Sequence, residues 1–178
     1  MTGALHQLKL DYAVAEDRLM LRVSTHDRAE VRLWFTRRFT RALWLGLVRV
    51  AEANPSAVNA PDPETRVTVV AFQHEKAIDE AQFGHAFEET ATDFPLGEDP
   101  ALVSGLTIGS PSTAEPPRLT FETEENKSIS LGLDEHILHS LMRLLSQAMK
   151  QTDWDLNLEF SASDDEIKPE ASPTVQLH

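Results

Sequence analysis

Two groupings of side chains in this 178-residue chain have the chemistry to hold something. One is a run of arginines, RLWFTRRFTRALWLGLVRV at residues 32–50, carrying Arg32, Arg37, Arg38, Arg41 and Arg49. Guanidinium groups recognise carboxylates and phosphates through paired donors, so such a run is suited to an anionic partner. The other is DEHILH at 134–139. His136 and His139 are three apart, which on a helix puts both on one face, where a metal could take two imidazoles. The motif is not HExxH, no third ligand is marked, and Asp134 reads as a helix cap. Two surface histidines and no metal are therefore expected, with a metal-dependent enzyme at His136 and His139 kept as a distant alternative. His74 and His85 with Glu75 and Glu89 form a still weaker grouping. No GxxxxGK[ST], GxGxxG or GxSxG element is present, and the many carboxylates mark no acid/base pair. The expectation is a non-catalytic protein with no cofactor.

The arginines stand out because the chain has a formal charge of −13. Residues 1–50 hold nine Lys/Arg against five Asp/Glu, and the remainder hold seven against 24. That balance argues against general nucleic-acid binding, which depends on neutralising phosphates, and leaves it open for the first fifty residues alone. The chain has no cysteine, which excludes disulfides and thiolate metal sites. With no basic and apolar leader at the amino terminus and no apolar run near the ~20 residues that span a bilayer, a cytoplasmic protein away from membranes is expected.

The elements that must position these groups follow from periodicity. Alternating apolar residues predict strands around Leu8–Val14, Leu19–Val23 and Val31–Phe35. The period then changes: Phe39, Leu43, Gly46, Leu47 and Val50 form a helical stripe capped by Thr36 and ended at Asn54-Pro55. NPSAVNAPDPET (54–65) reads as loop, RVTVVAF (66–72) as a strand, and 74–89 as polar with weak helical character. LVSGLTI, RLTFET and SISLGL (102–108, 118–123, 128–133) read as strands again. A second stripe, Ile137, Leu141, Leu144, Leu145 and Ala148, lies 98 positions after the first, and its cap Asp134 lies 98 after Thr36. DLNLEF (155–160) matches RVTVVAF as a closing strand.

An α+β fold of two degenerate β-β-β-α-β repeats is therefore expected, with antiparallel sheets, helices on one face, and the copies packed as an intrachain pseudo-dimer. The divisions are 1–73, a basic repeat; 74–100, a polar connection; 101–160, an acidic repeat; and 161–178, a disordered acidic tail. In architecture alone, tandem sheet-plus-helix units resemble the single-stranded nucleic-acid-binding proteins of the Whirly and PUR type, although this chain is acidic and its second repeat lacks a basic-aromatic face.

The repeat serves as an internal control. Where the first copy has Arg37, Arg38 and Arg41 at the start of its helix, the second has Glu135, His136 and His139. A helix amino terminus favours anions by about 0.3–1 kcal/mol, so the first copy breaks the rule that the second obeys. Outward strand positions of the first copy carry Met20, Arg22, Arg32 and Trp34, with Trp34 either exposed or covered by the 74–100 connection or by the other half of the chain. Arginine beside tryptophan is the composition of a binding surface. The expected site is Arg22, Arg32, Trp34, Arg37, Arg38 and Arg41. It would meet an acidic protein partner or a copy of the chain's own acidic half; single-stranded DNA or RNA is the alternative.

Overall fold

The computed structural model describes residues 3–80, 86–109, 116–156, 158 and 174–176. Three strands come first: β1 (Leu5–Ala13), β2 (Arg18–Thr25) and β3 (Glu30–Phe35). Helix α1 (Arg37–Glu52) follows, then the short α2 (Pro55–Val58) and α3 (Pro63–Glu80). A second group of strands, β4 (Ala101–Ile108), β5 (Arg118–Thr123) and β6 (Ser128–Gly132), leads to α4 (Glu135–Met149) and the terminal β7 (Thr174–Gln176). The protein is α+β.

One mixed sheet runs β1-β2-β3-β4-β5-β6. Neighbours are antiparallel except at the centre, where β3 and β4 run parallel through Leu33↔Ala101 and Trp34↔Leu102. The expected pair of antiparallel sheets is thus replaced by a single mixed one. β1 and β4 run the same way, as do β3 and β6.

Turn chemistry explains the hairpins. Between β2 and β3, the Thr25 amide donates to the Ala29 carbonyl, the Arg28 amide donates to the Thr25 carbonyl, and Arg28 has φ 63°. Between β5 and β6, Thr123, Lys127 and Asn126 repeat the arrangement, with Asn126 at φ 57°. In both turns the threonine hydroxyl donates to the same carbonyl that its own amide reaches. The two helices that follow are capped alike: Thr36 Oγ1 accepts the Phe39 amide at 3.2 Å, and Asp134 Oδ1 accepts the Ile137 amide at 2.8 Å. Alternate residues of every central strand meet the apolar faces of α1 and α4. Phe35, Phe39 and Phe121 are fully buried, with ring centroids 4.8–6.1 Å apart, which joins β3, α1 and β5 in one core. Trp44 is buried in that core as well.

Two further sequence expectations need correction. RVTVVAF is helical, inside α3. Its β-branched residues suggest a strand, but Asp62 caps the segment by accepting both the Thr65 amide (2.7 Å) and the Thr65 hydroxyl (2.8 Å), and Pro63 suits the first helical turn. Arg66, Val69, Val70, Gln73, His74 and Ala77 then make a continuous buried or half-buried helical face, while Thr68 and Phe72 are exposed. Of the expected closing strand DLNLEF, residues 155, 156 and 158 are not in a strand, and 157, 159 and 160 lie outside the described residues. Within the expected disordered tail, Thr174–Gln176 pairs antiparallel with Gly105–Thr107 of β4; the rest of 161–178 lies outside the described residues. Among the described residues no helix is long and apolar enough to cross a membrane.

Candidate functional site

The six residues singled out from sequence divide into two groups. Arg22, Arg32 and Trp34 lie on the face of β2 and β3 away from the helices, because Leu19, Leu21, Val23, Val31, Leu33 and Phe35 take the core side. Register pairs Arg22 directly with Arg32. Two cations side by side need anions, and Glu30 supplies one. Its carboxylate is 1% exposed and accepts Arg22 Nε at 2.8 Å, Arg22 Nη2 at 3.0 Å and Arg32 Nε at 2.7 Å. Burial works to raise the Glu30 carboxyl pKa, but the two guanidinium groups overcome it and leave it below the ordinary value.

The remaining donors of this pair reach residues 86–98, which cross the same face. Arg22 Nη1 and Nη2 donate to Glu89 at 2.6 and 2.5 Å, and the guanidinium lies 4.3 Å from the Phe87 ring centroid. These bonds to Glu89, then those to Glu30, hold Arg22 charged far above the ordinary range. Arg32 Nη1 donates to the Glu98 carbonyl at 3.0 Å, and its guanidinium stands 4.9 Å over Phe94. Arg22 is consequently buried, at 7% exposure, rather than displayed to solvent; Arg32 and Trp34 are half-buried. Lys9 and Asp11, their neighbours on β1, pair with each other at 2.9 Å.

Arg37, Arg38 and Arg41 form the second group, all exposed at the start of α1, whose first turn has no acidic residue. Arg37 Nη2 donates to the Asp155 carbonyl at 3.4 Å. It also adds to the field on Asp17, whose carboxyl is held below its usual range first by the Tyr12 hydroxyl (2.8 Å) and the Trp154 indole N–H (2.6 Å). Trp154 thus serves packing at the end of α4, edge-on to Tyr12.

The histidines separate. His136 is exposed and lines a cleft with β1, whereas His139, one turn on, is buried and lines a different cleft. The ring beside His139 is His74 of α3, with the two Nδ1 atoms 3.2 Å apart. Burial depresses both imidazoles, and His74 falls to about 4. Among the described residues no three His, Asp or Glu side chains converge as a metal site would need; His85 lies outside the described residues. Beside His139 opens a cleft of ≈ 630 Å³ between α1 and α4, walled by Ala42, Leu45, Gly46, Val50, Ile108 and Leu138.

Sequence reasoning did not identify Phe87, Glu89 and Phe94 as partners of the sheet-face arginines, or His74 as the partner of His139. Spacing gives no hint of either contact, since 67 residues separate Arg22 from Glu89 and 65 separate His74 from His139. Comparison of the chain with protein-family models, curated proteins and solved structures found no match.

Proposed function

We propose that this is a non-catalytic protein that binds an acidic region of another protein through the cationic surface of its first half. The observation that carries the reading is the start of α1. Arg37, Arg38 and Arg41 are exposed where a helix amino terminus disfavours cations, in a chain with a net charge of −13. Arg22, Arg32 and Trp34 extend the surface along β2 and β3, beneath residues 86–98. A single-stranded nucleic acid is the second reading, since Arg and Trp would serve stacked bases as well. It is the less favoured because Phe87 and Phe94 already stand on the two sheet-face guanidiniums.

We also infer that the two halves are degenerate copies of one β-β-β-α unit. A constant offset of 98 supports this: Leu21↔Leu33 and Val23↔Val31 correspond to Leu119↔Leu131 and Phe121↔Ile129, and the turns and caps correspond as well. The copies would then have diverged in charge at one junction, which gives the arginines a use that the fold does not require.

The test is an Arg37→Glu/Arg38→Glu/Arg41→Glu variant. It should keep its circular dichroism and melting transition yet lose the proteins that the native chain captures from its source, as read by mass spectrometry. Capture of the same proteins by the variant would overturn the reading. Tight, steeply salt-dependent binding of labelled oligothymidylate would move it to nucleic acid.

A further inference from the structure

Residues 86–98 lie on the outward face of β1–β3 as an extended strap. At one end the Gln7 side chain donates to the Ala86 carbonyl (3.2 Å) and accepts the Glu88 amide (2.9 Å). In the middle, Phe87 and Glu89 clasp Arg22 from two sides. Farther along, Thr92 and Asp93 bond the Arg28 carbonyl, and the Glu30 amide donates to the Asp93 carbonyl at 2.9 Å. Among the described residues, 86–91 have no backbone–backbone hydrogen bond to the sheet, and Glu88, Glu89 and Thr90 are exposed. This half of the strap is held by side chains alone.

The other half of the sheet indicates that such a cover is not a requirement of the fold. Moving 98 positions on, Arg22 corresponds to Thr120, Arg32 to Ser130 and Trp34 to Gly132. Ser130 and Gly132 are exposed, Thr120 is half-buried, and the Thr120 and Ser130 hydroxyls bond each other at 2.7 Å. The strap therefore answers to the arginines rather than to the sheet.

We propose that the strap is a cis occupant of a recognition groove, and that the groove takes from another protein an extended segment with an aromatic residue followed two positions later by a carboxylate. This rests on the partner-binding reading above and adds the partner's chemistry and its regulation. The aromatic ring stacks on the Arg22 guanidinium and the carboxylate takes its paired N–H groups, as Phe87 and Glu89 do. A tethered segment competes at high effective concentration, so the groove is available in trans only for the fraction of time that residues 86–91 are lifted. Apparent affinity falls by that fraction and recovers when the strap is weakened.

The probe is a fluorescein-labelled peptide of residues 86–98, AFEETATDFPLGE, read by fluorescence anisotropy at low ionic strength. Phe87→Ser/Glu89→Ser, which loosens the strap, should bind it at least about tenfold more tightly than the native chain. Gln7→Cys/Glu88→Cys places the only two cysteines in the protein across the strap's side-chain anchor. When oxidised this variant should bind no peptide; on reduction, with the Gln7 anchor gone, it should bind at least as tightly as the native chain. Equal binding by the oxidised and reduced forms overturns the proposal, as does a loosened variant that binds no more tightly. If the loosened variant does not fold, the cysteine pair decides alone, and absence of binding to its reduced form also overturns the proposal. A loosened variant that dimerises without peptide, or prefers oligothymidylate, overturns the choice of occupant. Loss of partner capture on charge reversal at α1, with no peptide binding in any form, removes the strap proposal and leaves the proposed function standing.

Discussion

Acidification should loosen the contact between α3 and α4 at His74 and His139. Their Nδ1 atoms, 3.2 Å apart, can share one proton but not hold two, so the pair requires at least one neutral ring. Burial is the largest influence on His74, His139 and Arg143 add to it, and Glu75 opposes them; the result is a fall from 6.5 to about 4. Unfolded, the ring binds its proton near 6.5; folded, it resists until about 4. Between those values the unfolded chain holds more protons, so stability is fully present above about pH 6.5, declines as pH falls, and levels off below about 4. At about 1.4 kcal/mol per pH unit the full shift would be worth about 3.4 kcal/mol, which solvent screening of a half-buried ring reduces to about 1–2 kcal/mol. Urea unfolding at pH 7.5 and 4.5 measures the loss, and His74→Leu isolates it, because the carboxylates that also titrate are common to both proteins. The native chain should lose about 1–2 kcal/mol more than the variant over this interval. Equal losses would refute the reasoning.

Other expectations follow from single contacts. Arg22→Leu leaves the buried Glu30 with Arg32 alone and should cost about 2–4 kcal/mol in urea unfolding, whereas Arg22→Leu/Glu30→Leu should recover much of that. Asp134→Ala and Thr36→Ala each remove a cap and should cost about 1 kcal/mol, with the larger loss at Asp134, whose charge also meets the helix dipole. A methyl group added at Gly46 would sit 2.6 Å from Ile108 Cδ1. Gly46→Ala should therefore stabilise an Ile108→Val background by up to about 1 kcal/mol through helix propensity and gain less in the native one, a coupling that a double-mutant cycle reads directly.

Much of the fold was legible because six of its strands and the helices α1 and α4 carry their own periodicity. Phe39, Leu43 and Leu47 announce α1, and Leu119, Phe121, Ile129 and Leu131 announce the β5–β6 hairpin. Segment 66–72 misled because valines at 67, 69 and 70 favour a strand locally, while the cap at Asp62 and the packing of Val70 against other helices decide for a helix. The parallel joining of β3 to β4 was not legible, since pairing between distant strands leaves no local mark. The arginines were visible as an anomaly, but their fates were not. Nothing in Arg22 or Arg37 themselves says that one is clasped by a segment 67 residues away and the other left at the surface.

The narrow parallel seam has a consequence for the order of assembly. Within each set of three strands the connections are at most nine residues long, whereas Leu33 meets Ala101 across 68 positions of chain that include α1, α2 and α3. Short loops close at small entropic cost and long ones later, so each meander should form before they are stitched together. Truncating Leu102 should then speed unfolding and leave the folding rate nearly unchanged, while the same truncation at Leu119 slows folding. The middle of this sheet, usually the first place one looks for a nucleus, is where the chain finishes.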